Sequence, residues 1–471
     1  KLDKISIIGS DKFNKSATLD IESNLIQYIT AEGTYNLQNG NYGLINHKYY
    51  QQDLYKNLFK EVWNKLIEKK IVTKSLTEIE NSELFKYSPY KSLNEDQYNS
   101  VLEILEALKF KKSNRVFISG SAGTGKTILA TYLMKLLTTD VEAIQQDELN
   151  DNELREINYI KEFRNKYPNA KIGLVVAMTS LRESLENVFR KIPGLKASMV
   201  INPSSTFSSE IYDLLIVDEA HRLRQYKNIG WRGAFKKNNK KLNLDDTGTE
   251  LDWILANSKN QIFFYDSAQS VKPSDVDSSK FNTLLNEKNT LKLELKSQMR
   301  VKGGNNYIQF VDELLNVKRA IQSKYREESY DLVIFESFKD LFNELSKKEE
   351  DHHLCRLVSG YSWVWQSDPK KKNPTPDAID IEIEGLQFQW NQTDKDWINN
   401  PKDINNPLQE IGCIHTVQGY DLNYTGVIFG KEINFNPATN KIEIDSSTYF
   451  DKYGRIGANE EELKNLSLIH I

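Results

Sequence analysis

The sequence predicts an α/β protein: two lobes, each built on a parallel sheet, behind a small N-terminal segment of mixed helix and strand. Three observations predict it. First, short apolar runs alternate with helical stretches, the pattern of strands buried on both faces. Second, the runs form two series, which implies two lobes. One comprises Arg115–Ser119, Ile172–Ala177, Leu214–Val217 and Ile262–Tyr265; the other Leu332–Phe335, Leu354–Val358, Ile411–Thr416 and Gly426–Phe429. Third, the chain has 471 residues, 39% of them hydrophobic, enough for about three domains with real cores.

The bulk chemistry is restrictive. With 62 basic and 66 acidic residues and a net charge of −4, nothing draws the whole chain toward nucleic acid, so any such binding needs local basic patches. The two cysteines, Cys355 and Cys413, are far apart and form no metal-ligand spacing. No disulfide framework is expected, and a reducing cytoplasm is the expected compartment. No apolar run approaches the roughly 18 residues of a membrane span, and no secretory signal opens the chain. Both ends look cut: the first residue is Lys1, and Leu466–Ile471 reads like translated adaptor sequence.

The strongest motif is a phosphate loop. Gly120, Ser121, Ala122, Gly123, Thr124, Gly125, Lys126 and Thr127 fit G-x-x-x-x-G-K-[ST], between the β-like run Arg115–Ser119 and the helix-like run Ile128–Leu137. Glycines let the backbone curl so that several N–H groups face one phosphate chain, and the helix N-terminus adds its positive dipole end. Lys126 is expected to reach the β- and γ-phosphates of ATP, and Thr127 to hold Mg²⁺. Asp218-Glu219-Ala220-His221 follows the apolar run Leu214–Val217. A carboxylate at a strand's C-terminal end can meet Mg²⁺ near the loop. Asp218 is the expected metal-side group and Glu219 the group that polarises the attacking water. His221 either couples this site to the other lobe or simply packs.

Taken together, these motifs resemble superfamily 1 helicases, and most of all the Schlafen-like DNA/RNA helicase domain family, over residues 92–466. The resemblance implies two RecA-like P-loop lobes that clamp ATP between them. It implies further roles. Leu93-Asn94-Glu95-Asp96-Gln97 matches the adenine-reading element, where the Gln97 amide offers both a donor and an acceptor. Val175–Arg182 resembles motif Ia, with Thr179, Ser180 and Arg182 near a nucleic-acid backbone; Thr and Ser there also suit a helix N-cap. Phe263–Gln269 resembles motif III, with Gln269 sensing the γ-phosphate. Ser297–Arg300 resembles motif IV, with Arg300 stabilising charge on the transferring phosphoryl. Ile414–Asp421 resembles motif V, with Gln418 and Gly419 beside the nucleotide. The sequence departs from the pattern at Asp421, where relatives often carry Glu. It also departs in lacking a later arginine motif, for which Arg455 is a poor match.

Near the N-terminus, Ser16–Glu22 and Leu37–Gly43 resemble the later half of a GIY-YIG nuclease domain, with Glu22 at the metal-binding Glu and Asn39 at a trailing Asn. The catalytic arginine of that family would precede Lys1, so no DNA cutting is expected. The expected organisation is therefore a partial nuclease-like domain over 1–50, a helical linker over 51–90, a first lobe over 91–290, a second lobe over 291–466 and a non-native tail over 467–471.

Other features are ambiguous alone. Arg222, Arg224, Lys227, Arg232, Lys236, Lys237, Lys240 and Lys241 crowd one segment with Tyr226, Trp231 and Phe235 interleaved. Such a pairing of cations and rings suits a nucleic-acid strand, though a solvated basic loop fits too. Trp363 and Trp365 alternate as on a strand, with both rings on one face, for packing or for stacking. His352 and His353 read as surface residues. Residues 366–410, rich in Asp, Asn, Lys and Pro, read as loop, and 139–170 as a helical excursion. The expected function is an ATP-driven motor on single-stranded DNA or RNA, with no membrane partner. The alternative is an ATP-dependent switch that gates a nuclease without unwinding.

Overall fold

The computed structural model describes residues 5–35, 52–80, 82–91, 93–110, 114–121, 123–139, 151–227, 229, 231–266, 269, 274–297, 303–315, 325, 330–368, 375–393, 397–398, 401–413, 417, 422–451, 455, 459–460 and 463–464. The chain divides into two compact units. The first comprises Lys1–Gln225, Gly233–Ser267 and Val276–Lys296; the second comprises Tyr226–Arg232, Ala268–Asp275 and Ser297–Ile471.

The first unit opens with helices α1 (Lys15–Glu32), α2 (Gln52–Glu68), α3 (Leu76–Glu80), α4 (Glu83–Lys86) and α5 (Glu95–Phe110). Then β1 (Arg115–Ser119), β2 (Ile172–Val176), β3 (Val200–Ile201), β4 (Tyr212–Asp218), β5 (Ser258–Tyr265) and β6 (Thr290–Glu294) form one six-stranded sheet in the order β3-β2-β4-β5-β1-β6. Every pairing in it is parallel. The helices α6 (Lys126–Thr138), α7 (Asp151–Lys166), α8 (Thr179–Lys191), α9 (Arg232–Lys241), α10 (Glu250–Ala256) and α11 (Ser278–Leu285) lie between these strands in sequence. Two apolar clusters pack the unit: one gathers Val116, Ile118, Leu174 and Ile216, the other Phe117, Val175, Leu215 and Val217. Alternate residues of the same strands feed the two clusters, which is why those strands read as unbroken apolar runs.

The first cluster reaches well beyond the sheet. It takes in Ile26 of α1, Phe59 and Trp63 of α2, Ile79 of α3 and Leu84 of α4, alongside Leu185 and Phe189 of α8. The N-terminal helices are thus built into the core of the P-loop unit. Among the described residues before α2, α1 is the regular element, where a mix of helix and strand was expected; Leu37–Gly43 lies outside the described residues.

In the second unit, α12 (Gly304–Leu314) and α13 (Phe338–His352) accompany a five-stranded sheet of β7 (Cys355–Ser359), β8 (Ile381–Ile383), β9 (Leu386–Trp390), β10 (Glu410–Cys413) and β11 (Tyr424–Ile428). Its order is β11-β7-β10-β9-β8. A separate antiparallel pair, β12 (Ile433–Asn436) and β13 (Lys441–Ile444), follows.

Several expectations need correction here. The sheet is mixed, because β8 pairs antiparallel with β9. That hairpin lies inside 366–410, read from the sequence as loop. Its turn is Glu384-Gly385, both at positive φ (+51° and +79°), the two-residue geometry that matches strand twist. Leu332–Phe335 is not a strand: residues 331–335 join no ladder, and Ile334 is 88% exposed. Trp363 and Trp365 also lie on no strand, yet both pack on the second unit's core, with Trp365 edge-on to Trp390 at 5.4 Å. His352 and His353 are exposed as expected.

Glu32, at the end of α1, is 3% exposed. Its carboxylate accepts from Thr34 N (2.9 Å), Thr73 N (3.0 Å) and Thr73 Oγ1 (2.7 Å), tying α1 to the segment before α3. Burial works to raise its pKa, but these bonds outweigh it and hold the group at about 2, against 4.5 when free. A folded value below the unfolded one means the stabilisation is complete above about 4.5 and disappears as pH falls toward 2. We expect Glu32→Ala to cost about 2–3 kcal/mol at neutral pH. In urea unfolding, the gap from the parent protein should narrow steadily between pH 4.5 and 2.

Candidate functional site

The register of the first sheet creates the site. Ser119 lies beside Tyr265, and Val217 beside Phe263. The C-terminal ends of β1, β5 and β4 therefore fall side by side, the position where open α/β sheets receive ligands. Three loops leave together: the glycine loop from β1, Asp266 from β5, and Asp218-Glu219 from β4.

Each glycine that shapes the loop has a distinct reason. Gly123 and Gly125 sit at φ +83° and +82°, a region costly for residues with a Cβ. At Gly120 a Cβ would stand 2.6 Å from Thr124 Oγ1 and 3.2 Å from the Leu295 carbonyl. Gly125 is the N-cap of α6 and offers no side-chain cap, so the first N–H groups of a 13-residue helix stay open to an anion.

Lys126 is only 5% exposed. Its Nζ donates to Gly120 O (2.6 Å) and Ser121 O (3.0 Å) and lies 3.5 Å from Asp266 Oδ2. The Thr127 hydroxyl donates to Asp218 Oδ2 at 2.7 Å. Asp218 is fully buried; burial, then the charge of Glu219, pushes its carboxyl up to about 6. Glu219 adopts φ +50° and ψ +47°, an uncommon conformation for a residue with a side chain. Its Oε2 lies 2.9 Å from His221 Nε2. Burial works to raise Glu219, but the close His221 ring and the charges of Lys126 and Arg222 prevail and hold it at about 2. Among the described residues, neither nitrogen of the fully buried His221 ring makes an aligned hydrogen bond.

A hydroxyl and a carboxylate in direct contact form a hard-oxygen pair suited to Mg²⁺, which takes few protein ligands and leaves the rest to phosphate and water. Among the described residues no group of three or more His, Cys, Asp or Glu could hold a metal. The residues present fit both Mg²⁺ and phosphate.

Gln97 is 1% exposed. Its Nε2 donates to Thr124 O (3.0 Å) and its Oε1 accepts from Asn94 N (3.1 Å), while Asn94 Oδ1 accepts from Gln97 N (2.9 Å). The side chain anchors the glycine loop to the start of α5. Asp266 is the residue whose role the sequence reading missed. It follows β5 directly, and only the strand order, with β5 between β1 and β4, brings it to Lys126.

The remaining candidates are scattered. The N-cap of α8 is Met178, not Thr179 or Ser180, which follow it exposed. Arg182 turns inward: Nη1 donates to Val176 O (3.2 Å) and Nη2 to Thr179 Oγ1 (3.4 Å). Gln269, in the second unit, is half-buried. Ala122, Arg300, Gln418, Gly419 and Asp421 lie outside the described residues, as does Asn39. Arg455 donates to Ser446 O (3.1 Å) and Tyr449 O (2.7 Å), bracing a turn. Glu22 is exposed on α1. Phe235, expected to interleave with cations, is fully buried against Trp253 at 4.5 Å.

Comparison with known proteins adds the following. The family model described as Schlafen group 3, DNA/RNA helicase domain, matches residues 113–467. The chain is 22% identical over 364 residues to the uncharacterized Saccharomyces cerevisiae protein YPL245W, covering 72% of each. Two solved structures show faint likeness. Domain III of the Thermotoga maritima replication initiation protein DnaA is 12% identical, over 58% of this chain and 83% of that one, with a TM-score of 0.22. C. elegans PCH-2 is 12% identical, over 55% and 58%, with a TM-score of 0.20.

Removing the Gln97 side chain strands the buried Thr124 carbonyl and the Asn94 N–H. Gln97→Ala should lower unfolding free energy by about 1–3 kcal/mol in urea titration, and weaken ATP binding by calorimetry about tenfold. A variant with unchanged stability would mean that the anchor is energetically idle.

Proposed function

The chain belongs to the Schlafen group 3 DNA/RNA helicase domain family, and from that premise we propose an ATP-hydrolysing motor that works on single-stranded DNA or RNA. The observation that carries it is the meeting of Lys126, Asp266, Thr127 and Asp218 at three adjacent strand ends.

In this reading, the N–H groups from Gly120 to Thr127 cradle the phosphates of ATP. Lys126 exchanges its contacts with the loop carbonyls for β- and γ-phosphate oxygens. Thr127 and Asp218 hold Mg²⁺, which when bound neutralises charge on the phosphates. Glu219, kept ionised, orients a water and accepts its hydrogen bond as that water adds to the γ-phosphorus. The bond to the bridging oxygen breaks, giving ADP and inorganic phosphate. Gln97 holds the loop in shape; to read adenine, the role its motif implies, it would have to exchange one of its two internal bonds. Thr179 and Ser180 touch a nucleic-acid backbone, while Arg182 positions the start of α8. Gln269, Arg300, Gln418 and Gly419 keep the nucleotide-linked roles that their motifs imply; the first-unit residues support the reading without them.

One observation favours the alternative of a switch that gates an N-terminal module. Helices α1 to α4 share a core with the P-loop sheet, and the Ser184 hydroxyl of α8 donates to Glu83 of α4. Movement in the motor core would reach the N-terminal helices directly. The two readings part over nucleic acid. A motor's ATP turnover rises with single strands; a switch's does not.

We expect measurable ATP turnover with Mg²⁺, stimulated several-fold by single-stranded DNA or RNA. Lys126→Ala should reduce turnover at least about 100-fold, in line with the charge stabilisation such groups supply. Phosphate-release assays check both, and full activity in that variant would defeat the site assignment.

A further inference from the structure

We infer that the outer face of α9 is an electrostatic binding surface for the phosphate backbone of single-stranded nucleic acid. The helix reads Arg-Gly-Ala-Phe-Lys-Lys-Asn-Asn-Lys-Lys over 232–241 and contains no acidic residue. Phe235, Asn238 and Asn239 are buried and fix which side faces the protein. Asn239 Oδ1 accepts from Trp253 Nε1 (2.7 Å), and its Nδ2 donates to Asp245 O (2.7 Å) and Gly248 O (3.2 Å), locking that orientation. Lys236, Lys237, Lys240 and Lys241 are consequently all exposed.

This arrangement works against the helix itself. Lys236 and Lys240, and Lys237 and Lys241, are like charges one turn apart, which destabilises an isolated helix. Lys236 has a counter-ion in Asp246 at 3.1 Å. Lys241 Nζ lies over the Phe207 ring, 4.5 Å from its centroid. A chain of repeated anions would relieve the repulsion, and successive turns about 5.4 Å apart present cations in a row. The rest of the exposed face is low: Gly233 and Ala234 are exposed, and a Cβ at Gly233 would meet nothing within 4 Å.

The chemistry selects the partner. An interfacial membrane helix needs a large apolar face opposite its cations; the one large apolar side chain of α9, Phe235, is buried. Base stacking is excluded within α9 for the same reason. What remains is phosphate neutralisation without base reading, which suits a motor that must hold any sequence. Of the cations and rings in this segment, the exposed lysines form this face and the buried Phe235 does not. The choice of partner rests on the motor reading, while none of the residues of this face belongs to the nucleotide loop.

The test is fluorescence anisotropy of labelled dT20 and U20 with the full chain across a salt series. Four phosphate contacts contribute about −2.8 to the slope of log affinity against log salt, at about −0.7 each. The variant K236Q/K237Q/K240Q/K241Q should lose that much slope and bind at least tenfold more weakly at low salt. Its ATP turnover without nucleic acid should stay at the parent rate. The control K60Q/K65Q/K69Q, on α2 and the turn that follows it, removes three charges elsewhere and should bind as the parent does. Equal binding by the α9 variant, or equal loss in the α2 control, overturns the inference. So does displacement of the oligonucleotide by polyglutamate at matched charge, which would assign the face to an acidic protein. Loss of basal turnover in Lys126→Ala bears only on the nucleotide site, so the two claims fail separately.

Discussion

A lysine ammonium almost shut off from water lies where three parallel strands end. Burying a charge is expensive unless it is paired and hydrogen-bonded. Here the loop bends two of its own carbonyls onto Lys126 while Asp266 stands 3.5 Å away. Much else follows from that requirement. Gly123 and Gly125 take left-handed conformations as the loop turns into α6. Gly120 must lack a Cβ because Thr124 and Leu295 crowd it. The strands must run parallel and in register, or Asp266 and Asp218 would not reach the same place. In the proposed motor, a triphosphate would offer the same ammonium charged acceptors in place of the carbonyls.

The scaffold behind this edge is larger than the matched helicase region. The match begins at residue 113, but the apolar cluster beneath the sheet begins in α1. Phe59 and Trp63 of α2 gather around Tyr28 of α1, with ring centroids 5.1 Å and 5.7 Å away. Glu32 then fastens the end of α1 through two threonines. Removing the N-terminal helices would expose apolar surface on the P-loop unit itself, so this region acts as part of one folding unit.

How much of this was legible in the sequence depends on whether the information was local. The glycine loop was legible because its chemistry and its backbone demands sit in eight consecutive residues. Asp218 and Glu219 were legible because they close an apolar run. Asp266 was written in the same kind of place, after Phe263-Phe264-Tyr265, but its partner is decided by strand order, which no local pattern carries. Leu332–Phe335 shows the converse failure: an apolar run has the composition of a strand whether or not another strand pairs with it. The β8–β9 hairpin was hidden because its turn uses Glu-Gly, where the strongest hairpin signals are Asn-Gly and Asp-Gly. Phe235 misled because a ring between lysines reads as interleaved until helical phase puts it on the opposite face.

The same distinction governs the two adjacent carboxylates. Asp218 and Glu219 are neighbours in sequence, yet one is pushed toward neutrality and the other held ionised. Asp218 ends the last pleat of β4 and points into the sheet edge, where Thr127 meets it. Glu219 leaves the strand at φ +50°, which costs about 1 kcal/mol or more for a residue with a Cβ. That turn carries its carboxylate to His221 rather than into the same dry space. A glycine at 219 would make the turn at less cost but would have no carboxylate to place there. The two acids thus differ in surroundings, one buried against a hydroxyl and one held charged and part-exposed beside His221; in the proposed motor these would serve the metal and the attacking water respectively.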